Sequence, residues 1–341
     1  MTLPTAPSAN PSANVPAFPR ATSSGSRAAL VGVEPDELRA ALASLGFKPF
    51  RAKQLWQWLY RYGHRDFTAM SNIAKPARAE LAAAFHLTRP ALEREAVSDD
   101  GTVKWLVRFA DGHKAETVFI PEATRGTLCI SSQIGCTLSC SFCHTGTQRL
   151  VRNLDAAEIL GQILAAKDAL GDYPADTESR RITNIVLMGM GEPLLNYVAV
   201  NKAMRIATHP DGLAFSRRRI TLSTSGHVPH IDRLGEEAGL QLAISLHAVT
   251  DALRDTLVPL NKRWPIATLM QACARYAAKH PNQRITFEYV MLDGVNDSDG
   301  EARALVQLLR GIPAKVNLIP FNPWPGTHYC RSSEPLIARF A

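Results

Sequence analysis

The sequence predicts an α/β fold, a partial barrel of six (β/α) units preceded by a small helical domain. Three observations carry that expectation. First, β-rich runs recur at "TLCISSQ", "ITNIVLM", "RITLSTS", "LQLAISLHA", "RITFEYVML" and "KVNLIPF", with segments of helical periodicity between them. Strands alternating with helices call for a parallel sheet joined by right-handed crossovers. An open doubly wound sheet is the other solution, and six successive βα units suit the barrel better. Second, the 341 residues are 46% hydrophobic and 20% charged, an ordinary globular balance. Third, no run of eighteen apolar residues exists, so no membrane span is expected.

The first 27 residues are rich in Pro, Ser and Ala and lack the apolar stretch of a signal peptide, and they read as a disordered tail. With no export signal, a cytoplasmic protein with reduced cysteines is expected. Residues 34–90 read as a helical domain. Leu38, Leu42 and Leu45 share one face of "DELRAALASLG", and Gly46 is the expected stop. Leu55, Trp56 and Leu59 continue the pattern in "RAKQLWQWLY", and Pro76 suits the first turn of a third helix. Within 98–121, the runs 103–109 and 114–120 flank an Asp-Gly turn and predict a β-hairpin leading into the core. The barrel is expected over 122–341, with "DAAEILGQILAAKDAL" and "WPIATLMQACARYAAKH" among its helices. Cys273 shares a face of the second with Ile266, Leu269, Met270 and Tyr276, which makes it core filling.

The net charge is +7, and basic residues bunch at 50–65, 179–182 and 216–220. Each cluster alone reads as a solvated helix end. Together they are compatible with a polyanionic partner, RNA or DNA.

Four of the six cysteines fall inside "CISSQIGCTLSCSFCHTG". In a reducing compartment such a cluster points to metal binding or catalysis before disulfides. Cys136, Cys140 and Cys143 are spaced C-x3-C-x2-C and directly follow the first barrel strand, where barrels collect their chemistry. Zinc takes four ligands, commonly from paired C-x2-C units. No second pair follows, and His144 is awkwardly adjacent to Cys143. Three thiolates on a [4Fe–4S] cluster would leave one iron open as a Lewis acid. Cys129, inside a strand, reads by itself as a small apolar residue.

A C-x3-C-x2-C loop after the first strand of a partial barrel, with Phe142 before the last cysteine, resembles the radical S-adenosylmethionine (radical SAM) superfamily. "KAETVFIP", "TLCISSQIGC", "LMGMGEPLLN", "LSTSG", "ISLHA" and "NLIPFNPWPG" narrow the resemblance to the adenine-C2 methyltransferases of 23S rRNA and tRNA, the RlmN type, over roughly residues 34–341. The resemblance implies one [4Fe–4S] cluster on Cys136, Cys140 and Cys143, whose open iron chelates S-adenosylmethionine. Reduction would then cleave that cofactor to a 5′-deoxyadenosyl radical. It also implies cofactor contacts from Gly191, Glu192, Ser223, Ser245, Leu246, His247 and Asn322, with Glu192 accepting from the cofactor ammonium. Read alone, Gly189 and Gly191 mark only a tight turn, Ser223 and Ser245 local capping, and His247 a core histidine.

In the family a C-terminal cysteine accepts a methyl group, and its carbon radical attacks adenine C2 to leave a protein–RNA adduct. The resemblance makes Cys129 the thiol that resolves the adduct through a disulfide, and Glu116 the proton acceptor in that step. It further implies 23S rRNA and tRNA as partners, a flavodoxin or ferredoxin as electron donor, no membrane, and a monomer. The methyl-carrying cysteine lies in an "ACGQL"-like segment that the 341 residues lack. They end at "RSSEPLIARFA", where the family begins its last helix and strand, so the sequence reads as truncated and its activity as compromised. Cys330, in "THYCRSS", matches an earlier position and is not given the role. An inactive RNA-binding homologue and an adenine-C8 methyltransferase are the alternative readings.

Overall fold

The computed structural model describes residues 27–174 and 180–341. The predicted tail therefore lies outside the described residues except for Arg27, as does Ser179 of the basic run 179–182.

Among the described residues, a two-residue strand (Ala28–Ala29) paired with Phe85–His86 brackets three helices: α1 (Pro35–Ser44), α2 (Phe50–Trp56) and α3 (Lys75–Ala84). Glu34 and Glu37 form a reciprocal capping box at the start of α1, and Gly46, in the left-handed region, donates back to Ala43 to end it. Leu38 and Leu42 are buried, as the pattern predicts. Leu45 is 36% exposed because it falls at the C-cap, past the last turn of the buried stripe. Leu55, Trp56 and Leu59 are buried, and a π-helical turn over Gln57–Arg61 extends α2. These side chains belong to the same apolar core as the barrel residues. Lys202 pairs with Glu37, and Arg205 with Glu34, which ties α1 to the barrel at its rim.

Among the described residues the main sheet has nine strands. Antiparallel β1 (Ala91–Val97), β2 (Val103–Arg108) and β3 (Lys114–Pro121) lead into β4 (Gly126–Cys129). From β4 the sheet is parallel through β5 (Asn184–Leu187), β6 (Ile220–Thr224), β7 (Gln241–Ser245), β8 (Ile285–Met291) and β9 (Ala314–Pro320), in sequence order. That order is the open (β/α)6 barrel the alternation predicts. The crossover helices are α4 (Ala156–Leu170), α5 (Tyr197–Thr208), α6 (Val228–Glu237), the pair α7 (Asp251–Leu257) and α8 (Ile266–Lys279), and α9 (Asp299–Leu308). Helix α10 (Glu334–Phe340) closes the described chain.

The predicted hairpin is two strands of a three-stranded extension. Sequence patterning shows no sign of β1 because six of its seven residues are exposed, the last five in succession, so no apolar alternation marks it. The first barrel run also proves shorter than "TLCISSQ". Gln133 and Ile134 leave the sheet to pair with Asn153 and Arg152, which turns the following loop over the barrel mouth. Cys273 is fully buried in the core, as expected.

Candidate active site

The C-terminal ends of the parallel strands surround a cleft of about 260 Å³. Cys136, Cys140 and Cys143, from the loop after β4, line one wall. Gly191 and Glu192 from the turn after β5, Ser223 from β6, and Ser245 and His247 from the end of β7 line the rest. Short strands followed by tight turns put these side chains at one level of the barrel, where Ser223 and Ser245 hydroxyls stand 3.4 Å apart.

The cysteine loop is held from three sides. Cys143 N–H donates to Cys140 O, Ser141 N–H donates to Leu257 O at the end of α7, and Trp324 Nε1 donates to Phe142 O at 3.0 Å. Ser141 Oγ also meets the Tyr329 hydroxyl at 2.9 Å, and the Phe142 ring stands edge-on to His247.

Burial pushes the Cys136 thiol up to about 11 and the Cys140 thiol up to about 12, and the proximity of the other thiols adds to both shifts. Such thiols ionise readily only against a compensating positive centre. Among the described residues, no three His, Cys, Asp or Glu side chains converge on a single-ion site. Structural zinc sites take four ligands, commonly from paired C-x2-C units, and the motif supplies three cysteines to the cleft. Three thiols spread along one wall of an open cleft suit a wider, multi-iron cluster with one iron facing the remaining space.

Gly191 has φ +99°, and a Cβ there would stand 2.5 Å from Gln133 Cβ. The fully buried Gln133 links this turn to the cysteine loop: its Oε1 accepts from Glu192 N–H, and its Nε2 donates to the Thr137 hydroxyl beside Cys136. The Glu192 carboxylate is 3% exposed and accepts from Leu194 N–H and Ser225 N–H. Burial raises its pKa, with the hydrogen bonds opposing. No cation among the described residues pairs with it, so an ammonium group brought by a ligand would satisfy it.

His247 adopts φ +61°, a left-handed conformation uncommon outside glycine. Its Nδ1 accepts from Val290 N–H, and Asn296 Nδ2 donates to its carbonyl. Burial, helped by the nearby Arg254 charge, lowers its pKa to about 3. A histidine held neutral in the native state stops contributing stability as pH falls below its unfolded value of about 6.5, because the unfolded chain then takes up a proton that the native chain refuses. At pH 5 this amounts to ~2 kcal/mol. Urea unfolding of the metal-free protein should therefore show wild type losing more stability than His247→Asn between pH 7.5 and 5. Equal losses in the two proteins would disprove the assignment.

The remaining expected site residues lie elsewhere. The Leu246 side chain is buried in the core, and only its backbone engages the site, its N–H donating to Glu288 O. Asn322, exposed after β9, does not line the cleft. Cys129 and Glu116 sit away from the cleft lining but share a face of the sheet, since Cys129 pairs opposite Val118 and Glu116 is two residues along β3. Glu116 pairs with Lys104 at 2.6 Å. Of the lining residues that the sequence reading did not single out, Glu288 is the buried acid. Glu288 is 7% exposed, accepts from Asn317 Nδ2 at 2.6 Å, and has its pKa raised by burial. A single acid in the wholly buried strand "ITFEYVM" was the available signal.

Comparisons with known proteins place the fold in a family. The family model described as "Radical SAM superfamily" matches residues 130–306, and the "Ribosomal RNA large subunit methyltransferase N-terminal domain" matches 28–87. A relative from Dinoroseobacter shibae described as "Dual-specificity RNA methyltransferase RlmN" is 57% identical over 96% of this chain and 86% of its own length. One from Granulibacter bethesdensis with the same description is 60% identical over 92% of this chain and 80% of its own. A crystal structure of a radical SAM methyltransferase from Sphaerobacter thermophilus superposes with TM-score 0.85 at 46% identity, covering 92% of this chain and 91% of that one.

Proposed function

The chain belongs to the RlmN family of radical SAM RNA methyltransferases, and on that premise we propose that it methylates C2 of adenine in 23S rRNA and tRNA. The cofactors of this family of enzymes are a [4Fe–4S] cluster and S-adenosylmethionine. The reading is supported above all by one observation: the three motif cysteines, the Gly191–Glu192 turn, Ser223, Ser245 and His247 all line one cleft. Bound there, the cluster and cofactor would supply one-electron reduction and radical chemistry.

The chain's own residues have the following roles in this proposal. Cys136, Cys140 and Cys143 hold the cluster. Glu192 takes the cofactor ammonium, and Gly191 lets backbone approach it. Ser223, Ser245 and His247 orient the cofactor, while Leu246 contributes through its backbone and Asn322 from the loop after β9. Cys129 resolves the protein–RNA adduct by disulfide formation with a methyl-carrying cysteine, and Glu116 takes up the proton. Burial, with the Glu116 charge adding to it, pushes the Cys129 thiol up to about 11, so it stays protonated until that step. The electron donor is a flavodoxin or ferredoxin, and the protein works as a cytoplasmic monomer. Cys330, the last thiol of the 341 residues, is exposed and off the cleft, so the polypeptide of this sequence is expected to bind cofactor without capturing the methyl group on Cys330.

Deleting the encoding gene and digesting 23S rRNA and tRNA to nucleosides tests the reaction. Mass spectrometry should show 2-methyladenosine lost and restored on complementation. Retention of 2-methyladenosine, or loss of 8-methyladenosine instead, would reject C2 methylation.

A further inference from the structure

Arg254, on α7, is 1% exposed, yet every partner of its guanidinium is neutral. Nε donates to Leu246 O at 3.0 Å, Nη2 to Ser225 O at 2.7 Å and Ser245 O at 3.0 Å, and Nη1 to Asn261 Oδ1 at 2.8 Å. Among the described residues no carboxylate contacts it. Asp251 and Asp255 stand one bond behind, both accepting from Asn261 Nδ2 at 2.9 and 2.7 Å. Burying an unpaired cation costs several kcal/mol, so a protein that keeps one has an opposing charge to set against it.

The side of α7 facing the cleft identifies that charge. Cys140 packs with Leu253 and Leu257 of this helix in one apolar cluster, and Ser141 N–H donates to Leu257 O. Ser225 and Ser245, whose carbonyls hold the guanidinium, line the same cleft as Cys140. Burial lowers Arg254 itself only to about 10, so it is charged at neutral pH.

We propose that Arg254 is the buried counter-cation of the three-cysteine cluster site, and that its charge raises the reduction potential of the cluster by favouring the reduced, more negative state. The inference rests on the family reading of those cysteines. Net charge around an iron–sulfur cluster tunes its potential, and a fixed charge acts strongly where water is excluded. Arg254 acts through its charge without touching substrate, which makes it a positioning residue for electrons.

Redox titration of the reconstituted protein, read by electron paramagnetic resonance of the reduced cluster, tests this. Arg254→Gln removes the charge and keeps an amide donor, and its midpoint should move negative by enough to change the reduced-to-oxidised ratio at fixed potential about tenfold. Arg254→Lys should stay near wild type. Asp255→Asn, which keeps an oxygen for Asn261 Nδ2 but unmasks the cation, should move the midpoint positive, and its sign decides the matter if Arg254→Gln does not fold. Unmoved midpoints in normally loaded Arg254→Gln and Asp255→Asn overturn the proposal, as does a shift in Arg254→Lys as large as that in Arg254→Gln, which would mark a scaffolding role. A wild-type protein that takes up no iron would reject the cluster reading itself, and this inference with it.

Discussion

Replacing any one of Cys136, Cys140 or Cys143 with Ala should abolish cluster uptake on anaerobic reconstitution, whereas Cys129→Ala should keep it. The three thiols line the same cleft, and its lining holds no fourth cysteine to substitute for a lost thiolate, Met188 offering only a neutral thioether. Cys129 lies outside that lining, in the sheet opposite Val118. Two thiolates leave two irons of a four-iron cluster without protein ligands, so loss rather than weakening is expected. Iron and sulfide analysis of the reconstituted proteins separates the outcomes. Stoichiometric zinc in the wild type, or full iron in Cys140→Ala, would contradict the ligand assignment.

Gly191→Ala should weaken S-adenosylmethionine binding by about 100-fold, the equivalent of ~3 kcal/mol. Two effects add. An alanine at φ +99° is strained by about 1–2 kcal/mol. Its Cβ would also stand 2.5 Å from Gln133 Cβ and 2.9 Å from Gln133 N, which forces the turn or its fully buried neighbour to move. Overpacking of this kind costs about 1–3 kcal/mol. Because Gln133 bonds both Glu192 N–H and Thr137, the displacement reaches the ammonium acceptor and the loop start together. Gly112→Ala is the control: φ is +86°, but nothing lies within 4 Å of its Cβ, and the turn is in the β2–β3 hairpin. It should destabilise the fold slightly and leave binding unchanged. Equal binding by Gly191→Ala and wild type, measured by calorimetry on cluster-loaded protein, would remove Gly191 from the site.

Much of this architecture is legible without coordinates because its signals are local. The six barrel strands are apolar runs bounded by turns, and the structure lays them side by side in sequence order, since right-handed βα crossovers permit little else. The cysteine spacing names its own chemistry, and the loop lies where a strand ends. Elements without a local signal were not legible. β1 carries no apolar alternation because it is an edge strand exposed along most of its length, recognisable only by its pairing with β2.

The sequence by itself determined the order of strands and helices, the cluster of sulfurs and the glycine turn beside Glu192. Tertiary structure alone decided which residues share the cleft. Glu288 enters it because the parallel register sets it beside Ser245 and Asn317. Gln133 couples the cysteine loop to the Gly191 turn, 58 positions away counted from 133 to 191. Arg254 comes to the cysteine loop's side of the barrel, 114 positions along the chain counted from 140 to 254, because Leu253 and Leu257 of α7 share an apolar cluster with Cys140. Contacts of that separation depend on how strands and helices pack, and no window of sequence contains both partners.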